Sequence, residues 1–195
     1  MQFLVFDTET TGLPQRTETE HGIVVTWPRL VQLGWIVLSS NYIQSRRSSY
    51  LIAPNGWCIP EEVVRIHGIT NERAAADGEP IQHVLDRFDD DVHSCDYAVA
   101  HNFEFDFNVL DAECHRYNRT NTLAKLSPVC TMETARPIMR IPATRGYRRP
   151  NLARLAEYYF PGRDVHITHD ALSDAETTAL IFVEMIRQNH IIYAK

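Results

Sequence analysis

Four carboxylates and a histidine stand where side chains of their type are costly. Asp7 and Glu9 follow an unbroken apolar run, Phe3 to Phe6, which suits a strand buried on both faces. Side chains alternate along a strand, so both acids point the same way at its carboxyl end. Anions that close repel unless a cation sits between them, and a hard divalent metal is the natural occupant. The pair alone would equally fit a polar turn closing at Gly12 and Pro14. Asp106 adds to it, lying in line with Leu110 and Tyr117 beside an inward stripe of Phe103, Phe107, Leu110, Cys114 and Tyr117. A helix-start acid favoured by the dipole is the other reading of Asp106. Asp174 is sharper: it shares a helix face with Thr178, Ile181 and Met185, away from the arc of Ser173, Glu176, Thr177, Glu184 and Arg187. An acid on a packed face is costly unless paired or metal-bound. His169 lies just ahead of that helix, where it can lean over the same site. His166 and His169 also form an H-x-x-H, but no matching cysteine pair supports zinc.

The elements that must position these groups follow from the pattern of apolar residues. After the first strand, residues 13–28 read as a loop insertion with a short extended piece at 23–25. Residues 30–39 form a second strand and 42–52 a third, its polar middle marking a sheet edge. The tight turn at Asn41 makes these two antiparallel neighbours. Pro60 and two acids open a short helix that stops before Ile66, and Thr70 caps a second. A helix spans Ile81 to about Val92, with Ile81, Val84, Leu85 and Phe88 at helical spacing. Tyr97 to Ala100 is a short apolar strand, separated by helices and therefore parallel to the first. The last helix runs from Ala171 to Arg187.

Composition bounds the class. The chain has 195 residues, 44% hydrophobic and 23% charged, enough for one sizeable core. No repeat or linker divides it, so one domain over 1–195 is expected, with its chemistry-bearing core in 1–188. A net charge of −6 gives no global field for nucleic acid. The four cysteines are widely spaced and read as reduced thiols of a cytoplasmic protein. The chain runs straight into its first strand, so no cleavable signal is expected, and no apolar stretch is long enough for a bilayer.

The segments Phe6 to Gly12, His101-Asn102 through Phe105-Asp106, and His169 with Asp174 resemble the three motifs of the DEDDh 3′–5′ exonucleases. The resemblance is to the DnaQ-like group, which includes the proofreading epsilon subunit of bacterial DNA polymerase III. It extends through Val31-Gln32-Leu33-Gly34, Ile66-His67-Gly68-Ile69-Thr70, Cys130-Thr131-Met132 and Asn151-Leu152 with Leu155. The insertion at about 15–28 is the main departure. The resemblance implies an α/β, ribonuclease H-like fold: a central mixed sheet of about five strands flanked by helices. It implies two divalent ions, Mg2+ or Mn2+, held by Asp7, Glu9, Asp106 and Asp174. Asp7 would bridge both, Glu9 and Asp174 would serve the water-side ion, Asp106 the second, and His169 would act as general base.

The implied activity is release of nucleoside monophosphates from a 3′ end, with single-stranded DNA favoured over RNA. An exoribonuclease of ribonuclease T or oligoribonuclease type is the alternative, and a catalytically silent nucleic-acid-binding module a third. A polymerase partner is possible, but nothing in the chain names one. Thr8, Thr10, Thr11, His67, Gly68, Asn102 and Phe103 are the implied substrate contacts, the His67-Gly68 loop resembling the family's wedge near the terminal nucleotide and Phe103 equally readable as core. Local charge supplies another contact. Between Arg136 and Arg163 there are seven arginines and one acid, Glu157, and Arg145, Tyr147, Arg148 and Arg149 share one loop. That loop could grip phosphates and a base, or simply keep the surface soluble. Phosphatases of the haloacid-dehalogenase type need D-x-D where this chain has D-x-E, and no P-loop signature is present.

Overall fold

The computed structural model describes residues 1–20, 22–163, 165 and 167–192. In chain order the elements are β1 (Phe3–Thr10), β2 (Gln15–Thr19), β3 (Gly22–Thr26), β4 (Leu30–Leu38) and β5 (Gln44–Leu51). Helices α1 (Glu61–His67), α2 (Asn71–Asp77) and α3 (Ile81–Val92) follow, then β6 (Tyr97–Ala100) and α4 (Phe103–Arg116). The chain continues with β7 (Ser127–Cys130), α5 (Thr131–Met139), α6 (Leu152–Tyr159) and α7 (Ala171–Arg187).

Five strands form one mixed sheet in the order β5-β4-β1-β6-β7. β4 runs antiparallel to both β1 and β5, and β6 runs parallel to β1 and β7. β1 is therefore central, which explains its apolar run. Leu4 and Phe6 pack on one side with Val84, Leu85 and Phe88 of α3 and Val109 and Leu110 of α4. Phe3 and Val5 pack on the other with Leu172, Ala179 and Phe182 of α7. A sheet covered on both faces is the ribonuclease H-like arrangement that the motifs imply.

The structure differs from the expectations at four places. Residues 15–26 form a two-stranded hairpin that includes the expected extended piece at 23–25, where the rest was expected to be loop: Gln15 pairs with Thr26 and Thr19 with Gly22, which adopts φ +115° at the turn. Its strand residues are exposed throughout, so no buried-face alternation marks it in the sequence. The helix expected to stop before Ile66 continues to His67, where Gly68 at φ +71° ends it by donating to the Val64 carbonyl. A further strand, β7, carries Pro128, a residue tolerated at a sheet edge where its missing N–H interrupts no ladder. Thr177, read into a polar arc, is buried. His21 and His166 lie outside the described residues. Among the described residues no helix is long and apolar enough to cross a membrane, and all four cysteines are free thiols.

Candidate active site

The strand pleat sorts the acids. Phe3 and Val5 face α7, so by alternation Asp7 and Glu9 face it too, while Thr8 faces α4. Opposite them on β4 stand Gly34, paired with Asp7, and Gln32, paired with Glu9. Each does one job for α7. A β-carbon on Gly34 would lie 2.3 Å from the Leu172 nitrogen and 2.4 Å from the Ala171 carbonyl carbon. Only glycine lets the first turn of α7 rest on β4.

Gln32, itself buried, fixes the junction in register. Its amide donates to Asp170 Oδ2 at 2.7 Å, and its Oε1 accepts the Ala171 N–H at 3.1 Å. Asp170 caps the helix by accepting the Ser173 N–H at 3.1 Å. His169 immediately precedes this cap with φ +51°, and Asp174 lies one turn in, on the inward face. One ligand atom each from Glu9, His169 and Asp174 lie within 4.8 Å of one another.

Asp106 arrives from the opposite face of the sheet. α4 is preceded by its N-cap Asn102, which takes the left-handed conformation at φ +73°, and Asp106 falls in its first turn. Thr8 holds it: the backbone N–H and the hydroxyl both donate to Asp106 Oδ1, at 3.1 and 2.6 Å. The four acids thus come from three elements, meeting at the carboxyl end of β1. Asp7, Thr8, Glu9, His101, Asn102, Met132, Asn151, His169 and Asp174 line one cavity there, of about 610 Å3.

The charges are crowded. Burial holds the Asp7 carboxyl well above its ordinary range, and Asp106, Glu9, Asp174 and Asp170 push it the same way. Burial, with Asp174, Asp106 and Asp170, raises Glu9 to about 8. Asp106 rises to about 7 through burial, against the two Thr8 donors. Asp174 rises to about 6 through burial, with His169 opposing. Asp174 Oδ1 is buried with no hydrogen-bond partner. Carboxylates that repel one another and hold an unpartnered buried oxygen, with His169 beside them, fit a divalent cation.

The other expected contacts divide. Thr8 and Asn102 line the cavity. Thr10 is buried beside it, and its hydroxyl donates to the Gly12 carbonyl. Thr11 follows in the same segment and bonds Arg29. His67 is buried: Nδ1 accepts the Ile69 N–H at 3.0 Å, and Nε2 sits beside the Thr10 backbone without a well-formed hydrogen bond. Gly68 serves as the C-cap of α1. Phe103 packs edge-on against Phe6 and stacks on Phe107, as a core residue would.

Arg145, Tyr147, Arg148 and Arg149 are exposed in a loop outside the cavity lining. That loop is braced by Arg136 Nε donating to the Tyr147 carbonyl at 2.8 Å and by an Arg149–Glu133 ion pair. It ends at Pro150, whose carbonyl meets His101 Nε2 at 3.2 Å, and Asn151 then enters the cavity wall. His101 was legible only as part of a motif. Burial drops its pKa to about 4, so it lines the cavity as a neutral ring.

This sheet, with acids gathered at the end of its central strand, defines a nuclease of the ribonuclease H-like class. The exonuclease family model, RNase_T, matches residues 4–182, and the chain belongs to that family, the DnaQ-like 3′–5′ exonucleases of the DEDDh type. Among curated proteins it is 29% identical over 192 residues to the 3′–5′ exonuclease DinG of Bacillus subtilis (strain 168), covering 96% of this chain and 18% of that protein. It is 28% identical over 187 residues to DNA polymerase III subunit epsilon of Aquifex aeolicus, covering 95% and 81%. The first of these relatives is thus far longer than the chain. Solved structures share the fold. Exonuclease I of E. coli, in complex with a dA16 oligonucleotide, superposes with TM-score 0.74 at 18% identity, over 95% of this chain and 41% of that one. Exonuclease X in complex with 5′ overhanging duplex DNA gives 0.67 at 20%, over 97% and 94%. The nuclease domain of 3′hExo, bound to rAMP, gives 0.74 at 14%, over 100% and 96%.

Proposed function

We propose that the chain is a metal-dependent 3′–5′ exonuclease that releases nucleoside monophosphates from single-stranded DNA. The observation that carries this reading is the gathering of Asp7, Glu9 and Asp174 in one cavity beside the His169 imidazole, with Asp106 held to the cavity-lining Thr8, each acid with a raised pKa. These four would hold Mg2+ or Mn2+, two per site. When bound, the ions supply Lewis-acid activation of a water and of the leaving oxygen.

The remaining chemistry belongs to the side chains. His169, exposed at the cavity mouth and close to Glu9 and Asp174, accepts the proton of the attacking water. Thr8 fixes Asp106, and Gln32 with Gly34 fixes Asp174 and His169, so the reacting groups are set before substrate arrives. Asn102 and Asn151 offer amides to the terminal nucleotide from the cavity wall. Arg145, Arg148 and Arg149 grip backbone phosphates at the rim, adding locally the positive charge that the whole chain lacks. DNA is favoured because structural relatives were solved with oligodeoxynucleotides or overhanging duplex DNA. The relative bound to rAMP keeps ribose in the test.

The experiment is degradation of 5′-end-labelled single-stranded DNA and RNA side by side, with Mg2+ and with chelator. A ladder shortening from the 3′ end of DNA, dependent on metal and faster than on RNA, is expected. Faster decay of RNA would assign the exoribonuclease reading, and no metal-dependent decay of either would overturn both.

A further inference from the structure

The β2–β3 ribbon has no part in the catalysis described so far, yet it grows directly from the strand that carries Asp7 and Glu9. All ten of its strand residues are exposed, including Ile23, Val24 and Val25. Its root is rigid. Thr11 and Arg29 exchange two hydrogen bonds, the Thr11 N–H to the Arg29 carbonyl at 3.0 Å and the Arg29 N–H to the Thr11 hydroxyl at 2.9 Å. Arg29 is clamped by the fully buried Glu113, through Nε at 2.8 Å and a second nitrogen at 3.1 Å. Arg116 meets the same carboxylate at 3.0 Å and donates to the carbonyls of Trp27 and Pro28.

These groups border a cleft of about 250 Å3, lined by Thr11, Leu13, Gln15, Trp27, Arg29 and Arg116 among others. Trp27 is half-buried, its ring edge-to-face with Phe105 at 6.0 Å, and Phe105 is the residue before Asp106. Two cations face one carboxylate, leaving an excess positive charge in a chain of net charge −6. Glu18 stands toward the ribbon tip, away from this root. Thr11 is two residues beyond Glu9, about 7 Å of extended chain, a short step along a nucleic-acid strand.

We propose that this cleft is a second nucleic-acid subsite. It holds the substrate single strand upstream of the scissile 3′ end, with a base stacked on Trp27 and the backbone drawn in by Arg29 and Arg116. The inference rests on the exonuclease reading above. A flat ring fixed by packing against Phe105 suits an unpaired base, because every base offers a π-face whatever its sequence. The continuity of the cleft with the Glu9–Thr11 segment favours the cleaved strand over its complement.

The test compares two substrates on the full 195-residue chain with Mn2+. One is the 4-nitrophenyl ester of thymidine 5′-monophosphate, too short to reach the cleft; the other is an oligothymidylate of about a dozen nucleotides. Trp27→Ala should raise the ratio of oligonucleotide KM to ester KM by roughly 5- to 100-fold, the scale of one lost stacking contact. Trp27→Phe, which keeps an aromatic face, should restore most of it and controls for folding. An unchanged ratio in Trp27→Ala would overturn the subsite while leaving the exonuclease reading intact. A KM defect seen only on 5′-overhanging duplex would assign the cleft to the complementary strand and overturn the proposal. No ester or oligonucleotide turnover by the wild type would overturn the exonuclease reading, and this one with it.

Discussion

Thr8 gives both its backbone N–H and its hydroxyl to a single oxygen of Asp106, at 3.1 and 2.6 Å. One residue of the central strand therefore tethers the acid that comes from the opposite face of the sheet. The tether favours the ionised carboxylate, against the burial that raises its pKa to about 7.

Removing that hydroxyl while keeping the shape should weaken metal binding more than folding. Thr8→Val is expected to raise the Mg2+ concentration for half-maximal rate by roughly 10- to 100-fold, the usual cost of losing a partner that orients a metal ligand. A metal titration of the rate checks this. An unchanged midpoint would mean that Asp106 is placed by α4 alone.

The metal-free chain should lose stability as pH rises. Unfolded, these acids titrate near 4; folded, Asp174, Asp106 and Glu9 titrate at about 6, 7 and 8. Between those values the folded state binds more protons, so the stability that protonation gives is present at about pH 4 and lost progressively through pH 8. Thermal melts in chelator should fall across that window, and Mg2+ should reverse the fall at pH 8. Asp7→Asn should flatten the decline and abolish turnover together; turnover within tenfold of wild type would sink the metal-site reading.

His169→Ala should lower kcat by roughly 10²–10⁴ with little change in KM, the scale of a lost general base. The ring is exposed, so circular dichroism should show an unaltered fold. The rate of the wild type should rise with pH, and the variant should lack that rise. Persistence of the same limb would assign proton transfer to another group.

Replacing Arg145, Arg148 and Arg149 by alanine should flatten the salt dependence of single-strand affinity. Each lost phosphate contact lowers the slope of log K against log salt by about 0.7. Arg149 is already paired with Glu133, so its share should be the smallest. Binding measured in Ca2+ across a salt series gives the number, and an unaltered slope would return the loop to a role in solubility.

What the sequence made legible follows from how local each signal is. The apolar run of β1 and the helical spacing of α3 and α7 reflect burial, which periodicity records directly, and the structure places α3 and α7 at the expected bounds. Asp106 and Asp174 were visible as acids on packed faces, and both are buried. Of the β2–β3 ribbon only the extended piece at 23–25 was legible, because strands exposed on both faces carry no alternation. β7 was hidden by its proline. Glu113 looked like any other helix acid; its partners Arg29 and the Leu30 N–H lie far along the chain, and no local pattern reports such a meeting. Gln32 was quoted only as part of a segment, because what it holds, the start of α7, comes near it only after folding.

The contact between Gly34 and the first turn of α7 also sets the order in which competence can arise during synthesis. β1, with Asp7 and Glu9, leaves the ribosome first; Asp174 and His169 come with the last helix. The sheet can pair and its α3–α4 face can close while Gly34 still waits for Leu172. Until that late segment docks, the growing chain has the strand but only part of the acid set. Partners far apart in the sequence thus complete the acid set last, and the small hollow left by a missing β-carbon receives the segment that brings them together.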